Sequence, residues 1–273
     1  SSSTYQLHGR VTNQSGDPLA NTLVEVIVTA DNSVVASTST ESSGNYSVNV
    51  AAGTYNIRVT PPAESGLGVS QVLGRTIESD TELDVVLVPA GATSLSGRLL
   101  DPLGGGMPNK QIALAPAGTD NWIYTSTSSD GSYSFNVSPG NYRLRMEYYN
   151  NPDNENIPRA LYMYNTGSGD SILTLLENTI MDISIPAKRV DVHVQDPLGN
   201  PVAGVGLTTN TQYADTRIGT VPAYGYSYYP YYYLPAVTDA SGNTTLWLFP
   251  ATYILTGIPP ADSSFAITNV PNV

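Results

Sequence analysis

The chain has 273 residues, a formal net charge of −12 and no cysteine, so it forms no disulfide. Its 11 basic residues are scattered, which excludes nucleic acid as a partner because phosphate binding needs clustered Lys and Arg. No run of 18 apolar residues occurs, so the sequence predicts no membrane span in this chain. Charged residues make up only 12%, and Ser, Thr, Asn, Gly and Pro are abundant, as is typical of a turn-rich all-β protein.

The N-terminal third of the chain is organised around a β-hairpin. Tyr46, Val48 and Val50 alternate with polar residues, which is the period-2 pattern of a half-buried strand. Gly53 lies in the turn, where the absence of a Cβ permits a positive φ. The segment 61–80 contains Pro and Gly and is predicted to be an excursion before the closing strand. The predicted strands lie near residues 5–12, 23–29, 34–40, 45–50, 54–60 and 82–88.

The same hairpin recurs twice further along the chain. The second copy begins at Gly131, which is 87 residues after Gly44 in the first, and the third begins at Gly242. A period of about 90 residues indicates a tandem array of small domains, because solenoid repeats are shorter. The third domain carries a tyrosine-rich insertion. The predicted domains are residues 1–90, 91–188 and 189–273.

A closing strand ends the first two copies, at residues 81–89 and 179–186. Only the sequence F-A-I-T-N-V-P-N-V, at 265–273, occupies the corresponding place in the third copy, and Pro271 interrupts it. This tail is either a degenerate closing strand, or the third domain is incomplete on its own.

The order of these features resembles a known family. A first strand and a D-P-L turn precede two further strands, the S/D-G-x-Y hairpin with its downstream G-x-Y, and the closing strand. This order resembles the carboxypeptidase regulatory-like, or transthyretin-like, β-sandwich module. The resemblance implies spacers, stalks and adhesive or binding units on secreted and surface proteins. The D-P-L turns are Asp17-Pro18-Leu19, Asp101-Pro102-Leu103 and Asp196-Pro197-Leu198.

We therefore predict an all-β fold of three tandem antiparallel β-sandwich domains, immunoglobulin-like or transthyretin-like, in an extended array. The linkers between the predicted domains are too short for freely swinging beads, so we expect a semi-rigid arrangement.

Aromatic residues are the strongest functional signal in the sequence. Rings offer flat apolar faces with a polar tip, which suits protein contacts or stacking against sugars. Three explanations remain open: the insertion folds over Trp247 and Phe249 within the chain, the patch is a protein interface, or it binds glycans. The candidate residues are Tyr224, Tyr226, Tyr228, Tyr229, Tyr231, Tyr232 and Tyr233 of the insertion, Trp247 and Phe249 after it, and Trp122 and Tyr124 as a second patch.

We find no catalytic constellation. The two histidines, His8 and His193, lie in first strands of different copies, and no G-x-S-x-G or H-E-x-x-H motif occurs. Acidic residues alternate from Glu78 to Asp84, but the spacing lacks a calcium-loop pattern and favours a solvated strand face. We predict no enzyme activity, no catalytic residue, no metal and no cofactor. Four N-x-[ST] sequons offer glycosylation sites, at Asn13, Asn45, Asn136 and Asn243.

The predicted function is that of a secreted, extracellular structural glycoprotein of the cell surface: a stalk, an adhesin or a filament subunit. Its partners would be copies of itself, other surface proteins or glycans. A filament could assemble by β-strand complementation, with residues 1–8 or 264–273 of a neighbour completing the third domain. The alternative is a carbohydrate-binding accessory module of a larger secreted enzyme.

Overall fold

The computed structural model describes residues 3–149, 156–230 and 236–273. Within these ranges the chain forms β-strands and two short 3-10 helices, Ala63–Ser65 and Gly169–Ser171, and no α-helix. The prediction of an all-β fold is confirmed. None of the helices in the described ranges is long and apolar enough to cross a bilayer.

The strands follow the predicted copies in chain order. The first copy contains β1 (Thr4–Asn13), β2 (Leu23–Val28), β3 (Val34–Ser39), β4 (Asn45–Ala51), β5 (Gly53–Thr60), β6 (Ser70–Ile77), β7 (Thr81–Glu82) and β8 (Val85–Leu87). The second contains β9 (Thr93–Leu100), β10 (Gln111–Pro116), β11 (Ile123–Ser126), β12 (Ser132–Val137), β13 (Gly140–Tyr148), β14 (Ala160–Tyr164), β15 (Leu173–Leu175), β16 (Asn178–Met181) and β17 (Ile183–Ser184). The third contains β18 (Lys188–His193), β19 (Gly206–Thr209), β20 (Gln212–Ile218), β21 (Val221–Tyr228), β22 (Ala236–Val237), β23 (Asn243–Leu248), β24 (Leu255–Ile258) and β25 (Thr268–Val270).

The chain divides into two compact units. The first unit is formed by the chain up to Arg98 together with residues 133–141 and 174–182. The second unit is formed by residues 99–132, 142–173 and 183–273. Segments of the predicted second domain contribute to both units, and the division into three domains stays a prediction.

Two sheets enclose the core of the first unit. One has the order β4-β1-β7, with β8 continuing beside β1, and the other has the order β12-β9-β16-β6-β5-β2-β3. The hairpin predicted around Gly53 is wrong, because β4 pairs with β1 in one sheet and β5 pairs with β2 and β6 in the other. The predicted inward side chains of both strands, such as Tyr46, Val50 and Ile57, are nevertheless buried in the core between these sheets. The excursion predicted for residues 61–80 is wrong in part, because it contains β6. This strand pairs with β5 on one side and β16 on the other.

The closing strand of the first copy consists of β7 and β8, and it crosses β1 at Gly9. Both strands run parallel to β1. Leu83 lies between β7 and β8, and a Cβ built on Gly9 would overlap its carbonyl oxygen. The Tyr46 hydroxyl donates a hydrogen bond to that same carbonyl at 2.7 Å. Asp84 Oδ1 accepts the backbone N–H of Arg10 at 2.8 Å, which fixes the crossing strand.

The second copy repeats this crossing within the first unit. A Cβ on Gly97 would overlap the carbonyl oxygen of Met181, and the Tyr133 hydroxyl donates to that oxygen at 2.6 Å. Asp182 Oδ1 accepts the N–H of Arg98 at 2.9 Å. Because two copies share the same contacts, the glycine and the tyrosine together specify where a closing strand lies.

The buried tyrosine makes the first unit sensitive to alkaline pH. Burial, and then the nearby carboxylate of Asp84, raise the pKa of Tyr46 above its ordinary value of 10.0. A folded-state pKa above the unfolded one stabilises the fold fully below pH 10, and this stabilisation is lost as the pH rises further. We expect Tyr46→Phe to lower the free energy of unfolding by about 1 kcal/mol at neutral pH, through the lost hydrogen bond. Above pH 10, the free energy of unfolding of Tyr46→Phe should fall less steeply with pH than that of the wild type, by up to about 1.4 kcal/mol per pH unit.

Urea unfolding at pH 8, 10.5 and 11.5 measures this slope. Tyr213→Phe, at an exposed ring of the second unit, is the matched control. Equal slopes for wild type and Tyr46→Phe would contradict the role assigned to the Tyr46 hydroxyl.

Three sheets build the second unit. Their orders are β11-β10-β13-β14-β21-β20, β18-β23 and β22-β19-β24-β25. The tyrosine-rich insertion predicted at residues 223–233, between early strands of the third copy, begins within β21, which pairs with β20. The C-terminal tail pairs through β25 with β24, so it does not lie beside β18 as the closing strands of the other copies lie beside β1 and β9.

The turns after the three first strands show that the first D-P-L motif does not occupy the same structural position as the other two. Oδ1 of Asp101 and of Asp196 accepts the N–H groups of the residues two and four positions later, at 2.8–2.9 Å. In the first copy Asn13 makes the same two bonds, at 2.9 Å each. Asn13 is therefore the structural equivalent, and Asp17 of the first D-P-L motif lies at the end of the turn.

Candidate functional site

The largest sheet of the second unit has seven strands, because β15 also pairs with β13, and one of its sides carries aromatic side chains on or beside five of them. The register of β14 with β21 places Tyr162 opposite Tyr226 and Tyr164 opposite Tyr224. β20 adds Tyr213 opposite Tyr226. We call this surface the aromatic face. Its members are Trp122, Tyr124, Tyr149, Tyr162, Tyr164, Tyr213, Tyr224, Tyr226 and Tyr228.

The tyrosine rings of this face touch one another in a continuous series. Tyr226 stacks on Tyr162 with ring centroids 5.4 Å apart and meets Tyr213 edge-on at 5.3 Å. Tyr162 contacts Tyr164 at 5.2 Å, and Tyr164 contacts Tyr224 at 6.2 Å. These distances lie in the favourable range for aromatic pairs, so the rings hold one another in place.

Two arginines on β13 connect Trp122 and Tyr124 to the tyrosines. The guanidinium groups of Arg143 and Arg145 lie 4.9 and 4.5 Å from the Trp122 ring centroid, which is the geometry of a cation–π contact. Arg145 Nη2 also donates to the Tyr124 hydroxyl at 3.2 Å. Arg143 Nη2 pairs with the Asp120 carboxylate at 2.8 Å. The two patches predicted separately from the sequence therefore belong to one surface.

Hydrogen bonding and partial burial raise the pKa of three hydroxyl groups on this face, those of Tyr149, Tyr162 and Tyr228. The Tyr149 hydroxyl donates to Glu147 Oε1 at 2.7 Å and lies 3.3 Å from the Tyr226 hydroxyl. The hydrogen bond to Glu147 is the main cause that raises the pKa of Tyr149. Partial burial raises the pKa of Tyr162 and of Tyr228. A protonated hydroxyl both donates and accepts, so the face offers hydrogen bonds as well as ring surface.

Three of the predicted aromatic residues do not join the aromatic face. Phe249 is only 1% exposed, and a Cβ built on Gly225 would lie 2.8 Å from its ring. Tyr229 is buried, and its hydroxyl accepts the N–H of Trp247 at 2.9 Å. The insertion thus covers Phe249, as the first of the three alternatives supposes. Because the chain itself surrounds their rings, we remove Phe249 and Tyr229 from the candidate site. Trp247 is half-buried and stays a separate prediction.

The remaining residues divide into those outside the described ranges and those the sequence reasoning missed. Tyr231, Tyr232 and Tyr233 lie outside the residues that the structure describes. The missed members are Tyr149, Tyr162, Tyr164 and Tyr213. The sequence signal that could have found Tyr162 and Tyr164 is the alternation Tyr162-Met163-Tyr164, which has the same period as Tyr224-Gly225-Tyr226.

Comparison with known families identifies the first copy. Residues 6–88 match the carboxypeptidase regulatory-like domain. The resemblance predicted from the hairpin motifs is thereby confirmed for this stretch. No curated protein matches the chain.

The chain is also similar to solved structures at low identity. It is 13% identical to the Bacillus anthracis TIE protein over 99% of this chain and 48% of that one, with a TM-score of 0.27, so it spans about half that protein's length. It is 11% identical to a streptococcal ancillary pilin over 99% and 96% of the two chains, with a TM-score of 0.25. It is 12% identical to a putative carbohydrate binding protein from Bacteroides uniformis over 63% and 97%, with a TM-score of 0.26.

Two of the alternating acidic residues between Glu78 and Asp84 form hydrogen bonds that support the fold of the first copy. Asp80 Oδ1 accepts the N–H of Gln6 at 2.9 Å, and Asp84 accepts that of Arg10. These two carboxylates therefore hold the closing segment to β1. Within the described ranges, no three residues among His, Cys, Asp and Glu form a group that could hold a metal ion.

The four sequons occupy different settings. Asn13 uses its side-chain oxygen in the turn after β1, as described above. Asn45, Asn136 and Asn243 are exposed. The Asn243 side-chain oxygen lies 2.8 Å from Nδ1 of His193. Glycosylation at these positions stays a prediction.

Proposed function

We propose that this chain is a non-enzymatic structural protein of the cell surface or extracellular space: a stalk, an adhesin segment or a filament subunit. Residues 6–88 match a family whose fold is non-catalytic, which supports a structural role. The observation that carries the proposal is the continuity of the sheets. Strands from successive copies of the repeat pair directly with each other in both units.

These pairings join the copies by backbone hydrogen bonds. In the first unit, Ser70–Leu73 of β6 pairs in parallel with Asn178–Met181 of β16. Beside it, the Arg58 guanidinium binds both carboxylate oxygens of Glu177, at 3.1 and 3.2 Å. In the second unit, β14 pairs antiparallel with β21. Shared sheets resist bending and pulling better than flexible linkers do, which suits a protein that carries load.

One first strand keeps an open edge. β1 lies between β4 and the parallel closing strand, and β9 lies between β12 and β16. Among the described strands β18 pairs with β23 alone. β18 ends at His193, before Asp196. β1 is longer at the corresponding end, because it continues to Asn13, which is the structural equivalent of Asp196. An unpaired edge of this kind is a template for strand addition.

An apolar groove of about 450 Å³ lies beside the end of this strand. Val194 stands where Val11 stands in the first copy, and Val11 pairs there with Val85 of the closing strand. Val85 and Leu87 are fully buried in the first unit. The groove therefore has the position and the character that a V-x-L segment requires. It is lined in part by Val194, Val202, Val205, Pro259 and Phe265.

The terminal segments predicted as donors are already paired in this fold. Thr4–Arg10 pairs with β4, and Thr268–Val270 pairs with β24, so neither is a free arm. We propose instead that the donor is a closing-type strand of a neighbouring subunit, running parallel to β18. Val192 stands where Gly9 stands in β1, so a side chain blocks the crossing made by a complete closing strand. The donor therefore lies beside Val194 and the residues after it.

A peptide with the sequence of residues 84–89, D-V-V-L-V-P, tests this mode of assembly. We expect saturable one-to-one binding of the labelled peptide to the full chain, measured by fluorescence anisotropy. In electron micrographs of the purified native protein, excess peptide should shorten or remove filaments. The matched control is the same peptide with Val85→Asp and Leu87→Asp, which should neither bind nor alter the filaments.

Two outcomes would overturn parts of the proposal. Absence of peptide binding, or equal binding of the control peptide, would exclude strand addition at β18. Immunogold labelling of intact source cells tests the location, and label confined to the cytoplasm would exclude a surface role.

A further inference from the structure

We infer that the aromatic face binds a neutral, extended polysaccharide, whose pyranose rings stack on the tyrosines. This inference goes beyond the structural role and does not depend on strand addition at β18. The binding surface is the one defined above, with Tyr162 and Tyr226 on its inner strands and Tyr213 on the edge strand β20.

The fold does not require aromatic rings at these positions. On β14 the inward side chains Leu161 and Met163 are fully buried, whereas Tyr162 and Tyr164 project from the opposite side. Tyr213 is 71% exposed. Small polar residues would serve an outward sheet position equally well, and contiguous exposed rings are a liability for solubility. Such a patch therefore marks an interaction site.

The spacing of the rings suits a chain of sugars. Successive centroids from Tyr213 through Tyr226 to Tyr162 lie 5.3 and 5.4 Å apart, which is comparable with the length of one pyranose residue. The rings project from one side of a β-sheet, with Tyr226 and Tyr162 close to parallel and Tyr213 edge-on to Tyr226. The surface therefore offers ring faces, ring edges and hydroxyl groups to an extended β-linked polymer, whose sugars carry both apolar C–H faces and hydroxyl groups.

Charges within the face favour a glycan over a protein. Arg145 and Glu147 stand on β13 directly opposite Tyr164 and Tyr162, in the middle of the surface. The core of a protein interface is depleted of Glu, Asp and Lys, so the carboxylate of Glu147 in this position disfavours a protein partner. Sugar hydroxyls can hydrogen-bond to such groups instead. The two charges balance, and Asp120 offsets Arg143, so the face favours a neutral polymer over an acidic one.

Affinity gel electrophoresis of the full chain tests the inference, with hydroxyethyl cellulose and galactomannan as neutral probes and alginate as an acidic probe. We expect a neutral probe to retard the wild type and alginate not to do so. Tyr213→Ala and Tyr226→Ala should each weaken binding about three- to ten-fold, the loss of one stacking contact. Tyr226→Phe keeps the ring and should retain most of the affinity. Leu198→Ala, at an exposed apolar residue of a turn, is the matched control and should bind like the wild type.

Near-UV circular dichroism and Tm show that each variant is folded. Three outcomes would overturn the inference: no retardation by any neutral probe, retardation that Tyr213→Ala and Tyr226→Ala leave unchanged, or stronger retardation by alginate. Sedimentation velocity tests the alternative that the aromatic face binds a protein. A self-association that Tyr226→Ala abolishes, without glycan binding, would assign the face to a second copy of the chain.

Discussion

Gly9→Ala is expected to destabilise the first unit by about 3 kcal/mol or more, at the upper end of what overpacking costs. The new Cβ would overlap the backbone carbonyl of Leu83, and a backbone carbonyl has no alternative rotamer to adopt. Tyr46 and Asp84 hold the same crossing from two further sides, so the strand cannot shift without breaking their hydrogen bonds. The measurement is urea unfolding, supported by a fall in Tm of roughly 10 to 20 °C.

Gly68→Ala in the same unit is the matched control. A Cβ there meets its nearest neighbours at 3.5 Å, which is ordinary van der Waals contact. We expect the control to change the free energy of unfolding by less than about 1 kcal/mol. A Gly9→Ala variant as stable as the control would show that the closing strand moves freely. It would also remove the argument that Val192 restricts the donor beside β18.

The strands on either side of Gly53 could be predicted from the sequence because their signals are local, but their pairing as a hairpin is wrong, since β4 pairs with β1 and β5 pairs with β2 and β6 in the other sheet. Alternation around Tyr46 and the turn at Gly53 act within a few residues, and the resemblance to a known module added the order of the strands. β6 was missed because its sequence, S-Q-V-L-G-R-T-I, does not alternate cleanly and contains Gly74 at φ 66°. That strand is ordered by pairing on both edges, with β5 and with β16, and one of these partners lies a hundred residues away in the chain.

The aromatic face could be predicted only in pieces for the same reason. The alternation in Tyr224-Gly225-Tyr226 indicates that these rings share one side of a strand, but not which strand lies next to it. The β14–β21 pairing between two copies of the repeat brings Tyr162 beside Tyr226. No local pattern encodes that choice of neighbour. The separate patches at Trp122 and in the insertion therefore became one surface only in the folded chain.

Phe249→Ala is expected to destabilise the second unit by about 3–5 kcal/mol, the usual cost of removing a fully buried phenylalanine ring. The ring packs against Gly225, directly behind the strand that carries Tyr224 and Tyr226. Its backbone is held independently: the N–H donates to Ser227 Oγ at 2.9 Å, and the carbonyl accepts the Tyr253 hydroxyl at 3.1 Å. The substitution leaves those bonds in place, so the loss measures the ring alone.

Trp247→Ala, two residues earlier on β23, is the matched control. Trp247 is half-buried, so we expect a smaller loss in the free energy of unfolding, about 1–2 kcal/mol. Thermal and urea unfolding of both variants rank the two effects, and polysaccharide retardation of the folded fraction is measured alongside. A stable Phe249→Ala variant would contradict the packing role assigned to this ring. A destabilised variant whose folded fraction still binds would place Phe249 in support of β21, because the rings of the aromatic face lie on the other side of that strand.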